Sequence, residues 1–293
     1  MPVGLRVKVR GAQMASEIID VQLYNGQFHM IHNPNAKGSS PRYKIVDNDG
    51  KIIAKPKGVT TILGQTLAKD FVGWALDCMA DVLSDKLPVI TQADIDDAKL
   101  ESGRRRDAGA GTGSITHGLV EGFLKAVDKG EKPPNAHTDD KEAIKAYSAF
   151  IEWFSANDIE VIDVEGVGYS AEYEVAGTRD NILRWDGKVY MGDLKTTNPS
   201  RKAPNGIYAE NFLQLGAYTM MYEEQRAFEE KSGGTKLVPI EGLAIISAKK
   251  NGKLDVVTNE MVGVSVGDCV DMFRKVVNMY NFLGYLTKSL GGK

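Results

Sequence analysis

Two aspartates and a lysine in the segment GTRDNILRWDGKVYMGDLKTT, residues 177–197, have the types and spacing for phosphodiester chemistry. Asp186-Gly187 is a two-residue hairpin signal between two β-prone runs. With those two residues as the loop, Trp185 pairs with Lys188, and counting outward Asp180 pairs with Asp193. Directly paired residues hold their Cβ atoms roughly 4.5–5.5 Å apart, and like charges so placed destabilise a sheet. A hard divalent cation between the carboxylates removes the conflict, because such cations take oxygen ligands. Side chains alternate along a strand, so Lys195 projects on the same face as Asp193. Carboxylates that hold a metal, with an ammonium beside them, form the constellation of metal-assisted phosphodiester hydrolysis. An Asp-x-Lys by itself is more often a pair of surface charges, so the rest of the chain has to decide.

Other residues with site chemistry stand in order around this hairpin. The stretch GTGSITHGLVEGFLKA, residues 111–126, reads as a helix after a Gly-rich start, with His117 and Glu121 four apart on one face. Glu172 sits on an expected strand, SAEYEV. The stretch NFLQLGAYTMMYEE, residues 211–224, reads as a helix with Gln214 and Tyr218 on one face. A helix with His, a strand, an acid-bearing hairpin with Asp-x-Lys, and a helix with Gln-x-x-x-Tyr together resemble the RecB-like branch of the PD-(D/E)XK nuclease superfamily. The set is most similar to the stand-alone exonucleases of that branch, found in phages and as the mitochondrial genome-maintenance exonuclease. The segment KGVTTILGQTLAKDFVGWALDCMADVL, residues 57–83, is similar to their N-terminal helical segment, and the resemblance spans about residues 57–220.

That resemblance implies an α/β fold with a restriction-endonuclease-like αβββαβ core, a mixed sheet flanked by helices. Residues 1–56 are expected as an N-terminal β-rich hairpin region packed on the core, and residues 57–293 as the nuclease domain with a helical segment over about 66–157. It further implies that Asp180 and Asp193 give carboxylate oxygens to Mg2+ or Mn2+, His117 an imidazole, and Leu194 its main-chain carbonyl. Imidazole suits Mn2+ better than Mg2+. Lys195 orients or deprotonates the attacking water or stabilises developing charge. Glu121 holds a metal-bound water or supports a second ion, with Glu172 the weaker candidate for that work. Gln214 braces the site or touches the nucleotide. Tyr218 has two readings, stacking on a base or a buried helix tyrosine with its hydroxyl satisfied. Arg179, not Pro, precedes Asp180, a departure from the pattern that names the family.

The long-range organisation is also legible. Short strands are expected in residues 20–55, in QFHMIH, RYKIVD and KIIAKP, with a turn at Asn48-Asp49-Gly50. His29 and His32 fall on opposite faces of the first of these, so they share no metal. Helices fill about 66–157, broken at Pro88 and Pro133-Pro134, with Thr91 capping QADIDDAKLESGRRR. Tyr147, Phe150 and Phe154 make a core stripe on a helix over 139–157. Strands at 159–165, 169–176, 178–185 and 188–195 precede a helix at 205–231, strands at 240–247 and 253–258, and a helix at 266–288.

Composition bounds the function. The chain has 293 residues, 42% hydrophobic and 26% charged, with a net charge of −3, so a passive charge-driven coat on nucleic acid is disfavoured. Basic residues need line only one groove, and Arg104, Arg105, Arg106, Arg201 and Lys202 are the candidate DNA contacts, with Lys249, Lys250 and Lys253 a further cluster. No apolar run reaches the roughly 18 residues of a membrane span, and the start lacks a secretory apolar stretch. Cys78 and Cys269 are the only cysteines, expected reduced in a cytoplasmic protein, and the four that would hold an iron–sulfur cluster are absent. Gly109, Gly111 and Gly113 have no preceding strand and no Walker lysine, so no nucleotide cofactor is expected; they loosen the start of the His117 helix or let backbone approach phosphates. The expected activity is a Mg2+- or Mn2+-dependent exonuclease on single-stranded or frayed DNA ends, in recombination, repair or DNA breakdown, with a single-strand-binding or recombination protein as partner and no membrane. A structure- or site-specific endonuclease and a catalytically silent DNA-binding protein of the same fold are the alternatives.

Overall fold

The computed structural model of the chain describes residues 18–37, 40–67, 71–197 and 206–291. Four short strands come first: β1 (Ile19–Leu23), β2 (Phe28–His32), β3 (Tyr43–Val46) and β4 (Ile52–Ala54), paired antiparallel in that order as one sheet. Then follow β5 (Lys57–Gly58), α1 (Val59–Thr66), α2 (Phe71–Ser84), α3 (Gln92–Ala98), α4 (Glu101–Asp128) and α5 (Lys141–Ala156). The remainder runs β6 (Glu160–Ser170), β7 (Val175–Trp185), β8 (Lys188–Thr197), α6 (Ala209–Ser232), β9 (Gly242–Lys249), β10 (Leu254–Thr258) and α7 (Val266–Ser289).

The second sheet is mixed. Its order is β10-β9-β8-β7-β5, with β6 along the other edge of β7. The β8/β9 and β5/β7 pairs are parallel and the rest antiparallel. Alternation sorts the side chains of β7 and β8 between two helical layers. Ile182, Val189 and Met191 meet Leu215, Met221 and Phe273 of α6 and α7, whereas Leu183, Tyr190 and Leu194 meet Leu124 and Phe150 of α4 and α5. The expected core stripe on α5 holds, with Phe150 and Phe154 buried and Tyr147 packed at its margin. Layers on α6 and α7 close tightly at Gly216, where an added Cβ would lie 2.4 Å from the Cys269 carbonyl oxygen. The N-terminal sheet packs on β6 and β7 through Tyr24, Met30 and Ile45 against Val167, Tyr169 and Ala176, and the Tyr24 hydroxyl donates to the Tyr169 carbonyl at 2.7 Å. His29 pairs with Asp20 while His32 stacks on Tyr43, so the two histidines do part as expected.

Four local expectations are corrected. Thr91 caps α3 through a reciprocal box with Asp94, but that helix stops at Ala98 and α4 starts anew at Glu101. Gly109, Gly111 and Gly113 therefore lie inside α4, not at a loose start. Each glycine costs about 1 kcal/mol relative to alanine in a helix; ion pairs from Glu101 to Arg104 and Arg105, and the buried Val120, Phe123 and Leu124 further on, hold the helix across them. The strand expected at 159–165 runs on to Ser170 as β6, with a register shift between Val161 and Asp163, and the one expected at 169–176 divides between the end of β6, a turn and the start of β7. The stretch expected as the strand SAEYEV is largely a turn, because Glu224 accepts the Ala171 N–H at 2.9 Å and Ser170 accepts that of Tyr173 at 3.1 Å. Both cysteines are free and buried. Among the described residues no helix is long and apolar enough to cross a membrane.

Candidate active site

The site forms where the sheet divides. The β7–β8 ladder begins at Trp185–Lys188, as the hairpin signal requires, and ends at Asn181–Gly192. Beyond that point β8 keeps its pairing with β9 as far as Thr197–Lys249, while β7 next meets β5 at Val175 and Ala176. Asp180 and Asp193 are the first residues past the last β7–β8 pair, so the expected ladder contact between them is replaced by a fork. The repulsion of two carboxylates opposes closing the ladder there. Asp180 instead turns its Oδ2 to accept the Leu194 backbone N–H at 2.8 Å.

Each surrounding element contributes one or two groups. From β8, Asp193 is 1% exposed, and Lys195 Nζ lies 2.6 Å from its Oδ2 in an ion pair. From α6, Gln214 bridges: its Oε1 accepts from Lys195 Nζ at 3.3 Å and its Nε2 donates to the Tyr218 hydroxyl at 2.8 Å. From α4, His117 Nδ1 stands 3.6 Å from Asp180 Oδ2, and Glu121, one turn on, pairs with Lys125 at 2.6 Å. A small pocket beside the fork is lined by His117, Glu121, Glu165, Asp180, Asn181 and Leu194.

Glu165 is the acid that sequence reasoning missed. The pairs Val164–Asn181 and Gly166–Arg179 flank it, which sets it opposite Asp180. Its φ of 55° is left-handed, an irregularity that re-aims the side chain within β6. A signal existed in the Glu165-Gly166 step: Gly166 leaves the space that Asp163 and Arg179 fill, an added Cβ lying 2.1 Å from Asp163 Oδ2.

Charge is crowded here. Burial, then the charges of Asp180 and Glu121, push the Glu165 carboxyl up to about 8, against a smaller opposing pull from Lys125. Burial also raises Asp193, and Lys195 draws it partly back. For Lys195 burial acts downward, but Asp193 and Asp180 outweigh it and hold the ammonium above the ordinary lysine value.

Several expected site residues fall elsewhere. Glu172 is exposed in the turn between β6 and β7, beside Glu224 and away from the fork. Tyr218 is 5% exposed, with its ring against Gly177 and its hydroxyl taken by Gln214, so the buried reading holds and no ring face is offered to a base. Arg104, Arg105 and Arg106 are exposed on α4, but each is matched by an acid: Asp97 and Glu101, then Glu101 and Asp81, then Asp107. Lys249 pairs with Asp255 and Lys250 with Glu142. Arg201 and Lys202 lie outside the described residues.

The donor set suits a hard divalent cation: carboxylates of Asp180, Asp193, Glu121 and Glu165, the Leu194 backbone and one imidazole. The raised Glu165 marks uncompensated negative charge among them. Among the described residues, no three His, Cys, Asp or Glu side chains converge on one point as they stand, since Asp180 is turned to Leu194 and Asp193 to Lys195. No protein-family model matches the chain, and comparison with curated proteins finds no match.

Proposed function

We propose that this chain is a metal-dependent DNA exonuclease of the RecB-like branch of the PD-(D/E)XK superfamily, with a restriction-endonuclease-like core. One observation carries the reading: Asp180 and Asp193 meet at the fork in the sheet, with an ammonium 2.6 Å from one and an imidazole 3.6 Å from the other. The order α, β6, β7, β8, α6, β9 around them supports the proposed core. Asp180, Asp193, His117 and the Leu194 carbonyl would hold Mg2+ or Mn2+, which when bound polarises the phosphate and acidifies a water.

The chain's own groups have separable work. Lys195, paired with Asp193, places a positive charge where it can meet the phosphate oxygens or the attacking water. Gln214 fixes where that charge sits, and Tyr218 fixes Gln214 from within the core. Apolar residues of α6 flank the sheet on one face and those of α4 on the other. The preference for ends follows from the narrow pocket beside the fork, which a frayed strand enters without unpairing energy. Digestion of end-labelled linear DNA, single-stranded and duplex, beside closed circular duplex tests the reading. Linear DNA is expected to be trimmed to short products while circles survive; rapid cutting of circles would identify an endonuclease, and cleavage of neither would remove the nuclease reading.

A further inference from the structure

A strand whose end is cut at the fork has to be held behind it. The arginines of α4 do not stand free for that work: Arg104 and Arg105 are each shared between two acids, and Arg106 has Asp107 beside it. The N-terminal sheet differs. Residues 37–57 carry six basic side chains against two acidic ones, in a chain whose net charge is −3. Tyr43 and Ile45 of β3 point into the core shared with β6 and β7, so Arg42 and Lys44 take the opposite face of that strand. Lys51, Lys55 and Lys57 are exposed along β4 and its link to β5. Among the described residues none of these five cations is paired with an acid. Arg42 donates to the Pro34 carbonyl at 3.4 Å, and the Asp47 carboxylate is used by the backbone N–H groups of Asp49 and Lys51, at 3.1 and 2.8 Å.

This basic edge adjoins the strand that carries Asp180. β5 pairs with β7 at Val175 and Ala176, and the Tyr43 hydroxyl lies 3.3 Å from Thr178 Oγ1, two residues before Asp180. Lysines on a sheet edge often serve only to keep other strands from pairing there. Arg42 and Lys44 have no such task, because β3 is paired on both sides, by β2 and β4. On the far side of the same sheet the charges are matched, Asp20 of β1 with His29 of β2. The exposed large apolar residues among the described part of 37–57 are Ile52 and Ile53, which offer no ring for a base to stack on. The surface therefore suits phosphates, not bases.

We propose that this face, Arg42 and Lys44 with Lys51, Lys55 and Lys57, holds the phosphate backbone of the DNA whose end lies at the fork, without reading its sequence. The identity of the polyanion as DNA rests on the nuclease reading. Each phosphate neutralised by lysine or arginine releases counterions, so log affinity falls with log salt by about 0.9 per contact on duplex DNA.

Anisotropy titration of the full chain with labelled duplex bearing a single-stranded overhang, in a chelator and over about 50–200 mM salt, tests this. The variant with Arg42→Gln, Lys44→Gln, Lys51→Gln and Lys55→Gln together should bind at least about tenfold more weakly, with a salt slope smaller by about 3. A control that loses the same charge at the exposed Lys231, Lys236, Lys275 and Lys288 should bind as wild type does. Lys44→Gln alone, which should lower the slope by about 1, carries the test should the fourfold variant not fold. Equal losses in variant and control, or none in either, overturn the surface and leave the nuclease reading standing. Wild type that cuts DNA in Mn2+ yet binds none in the chelator has the same meaning. Wild type that neither binds nor cuts overturns both. Binding to phosphatidylserine vesicles that the fourfold variant loses, with DNA affinity unchanged, assigns the face to an anionic membrane and overturns the proposal.

Discussion

Glu165 sets a limit on how well the metal-free chain tolerates base. Its carboxyl is raised from the usual 4.5 to about 8 by burial and by Asp180 and Glu121. The unfolded chain releases this proton near the ordinary carboxylate value, while the folded chain holds it until about pH 8. The folded state therefore binds more protons between those values, and stability falls as pH rises through that window. One pKa unit corresponds to about 1.4 kcal/mol, so the full effect above pH 8 is at most about 5 kcal/mol, and about 2–3 kcal/mol after allowance for the solvent that still reaches the pocket. Glu165→Gln removes the titration and keeps the shape. Urea unfolding in a chelator, from pH 5 to 9, should show wild type and variant converging near pH 5 and the variant more stable by about 2–3 kcal/mol at pH 8 and above. Asp193, raised by its burial, should leave a smaller slope of the same sign in the variant. A variant that loses stability with pH as steeply as wild type, or that is the less stable at pH 8, would refute the crowding of charge at the fork.

The other side chains give sharper functional readouts. Lys195→Ala should slow cleavage by about 10²–10³-fold, as for loss of a transition-state charge partner, and Gln214→Ala by less, with Mn2+ affinity by calorimetry nearly unchanged in both. Tyr218→Phe removes the hydroxyl that accepts from Gln214, costing about 0.5–1.5 kcal/mol in urea unfolding, and should leave single-stranded DNA affinity unchanged; a loss of affinity would restore the stacking reading. Reversal of Arg104, Arg105 and Arg106 to glutamate breaks exposed ion pairs worth up to about 1 kcal/mol each, and should weaken DNA binding and flatten its salt dependence in anisotropy titrations without altering metal affinity.

How much of this the sequence discloses varies with the kind of signal. Asp186-Gly187 fixes the hairpin register because a two-residue loop admits one pairing, and that register brings Asp180 and Asp193 to one level. Helical spacing put His117 and Glu121 on one face and Gln214 and Tyr218 on another; His117 and Glu121 line the pocket beside the fork and Gln214 reaches Lys195, with the buried ring of Tyr218 the exception. Burial decided that exception, and burial depends on how α6 lies across β7 at Gly177, a tertiary fact. Glu165 was hidden because its direction depends on a left-handed residue within an irregular strand, which alternation does not report. Glu172 was drawn into the site by a strand reading of SAEYEV, whereas Glu224, 52 residues on, ties that stretch into a turn. The glycines of α4 read locally as a break, but packing of the helix's second half and ion pairs in its first keep it whole.

The central claim is that Asp180 and Asp193 make this fork a metal-dependent site for cutting DNA. Its most direct test is cleavage of end-labelled linear DNA by purified wild-type, Asp180→Asn and Asp193→Asn proteins in Mg2+, in Mn2+ and in a chelator, with circular dichroism confirming the fold of each. The account predicts products from wild type in either metal, none in the chelator, and none from either folded variant. Cleavage by a folded Asp193→Asn protein, or by wild type in the chelator, would contradict it.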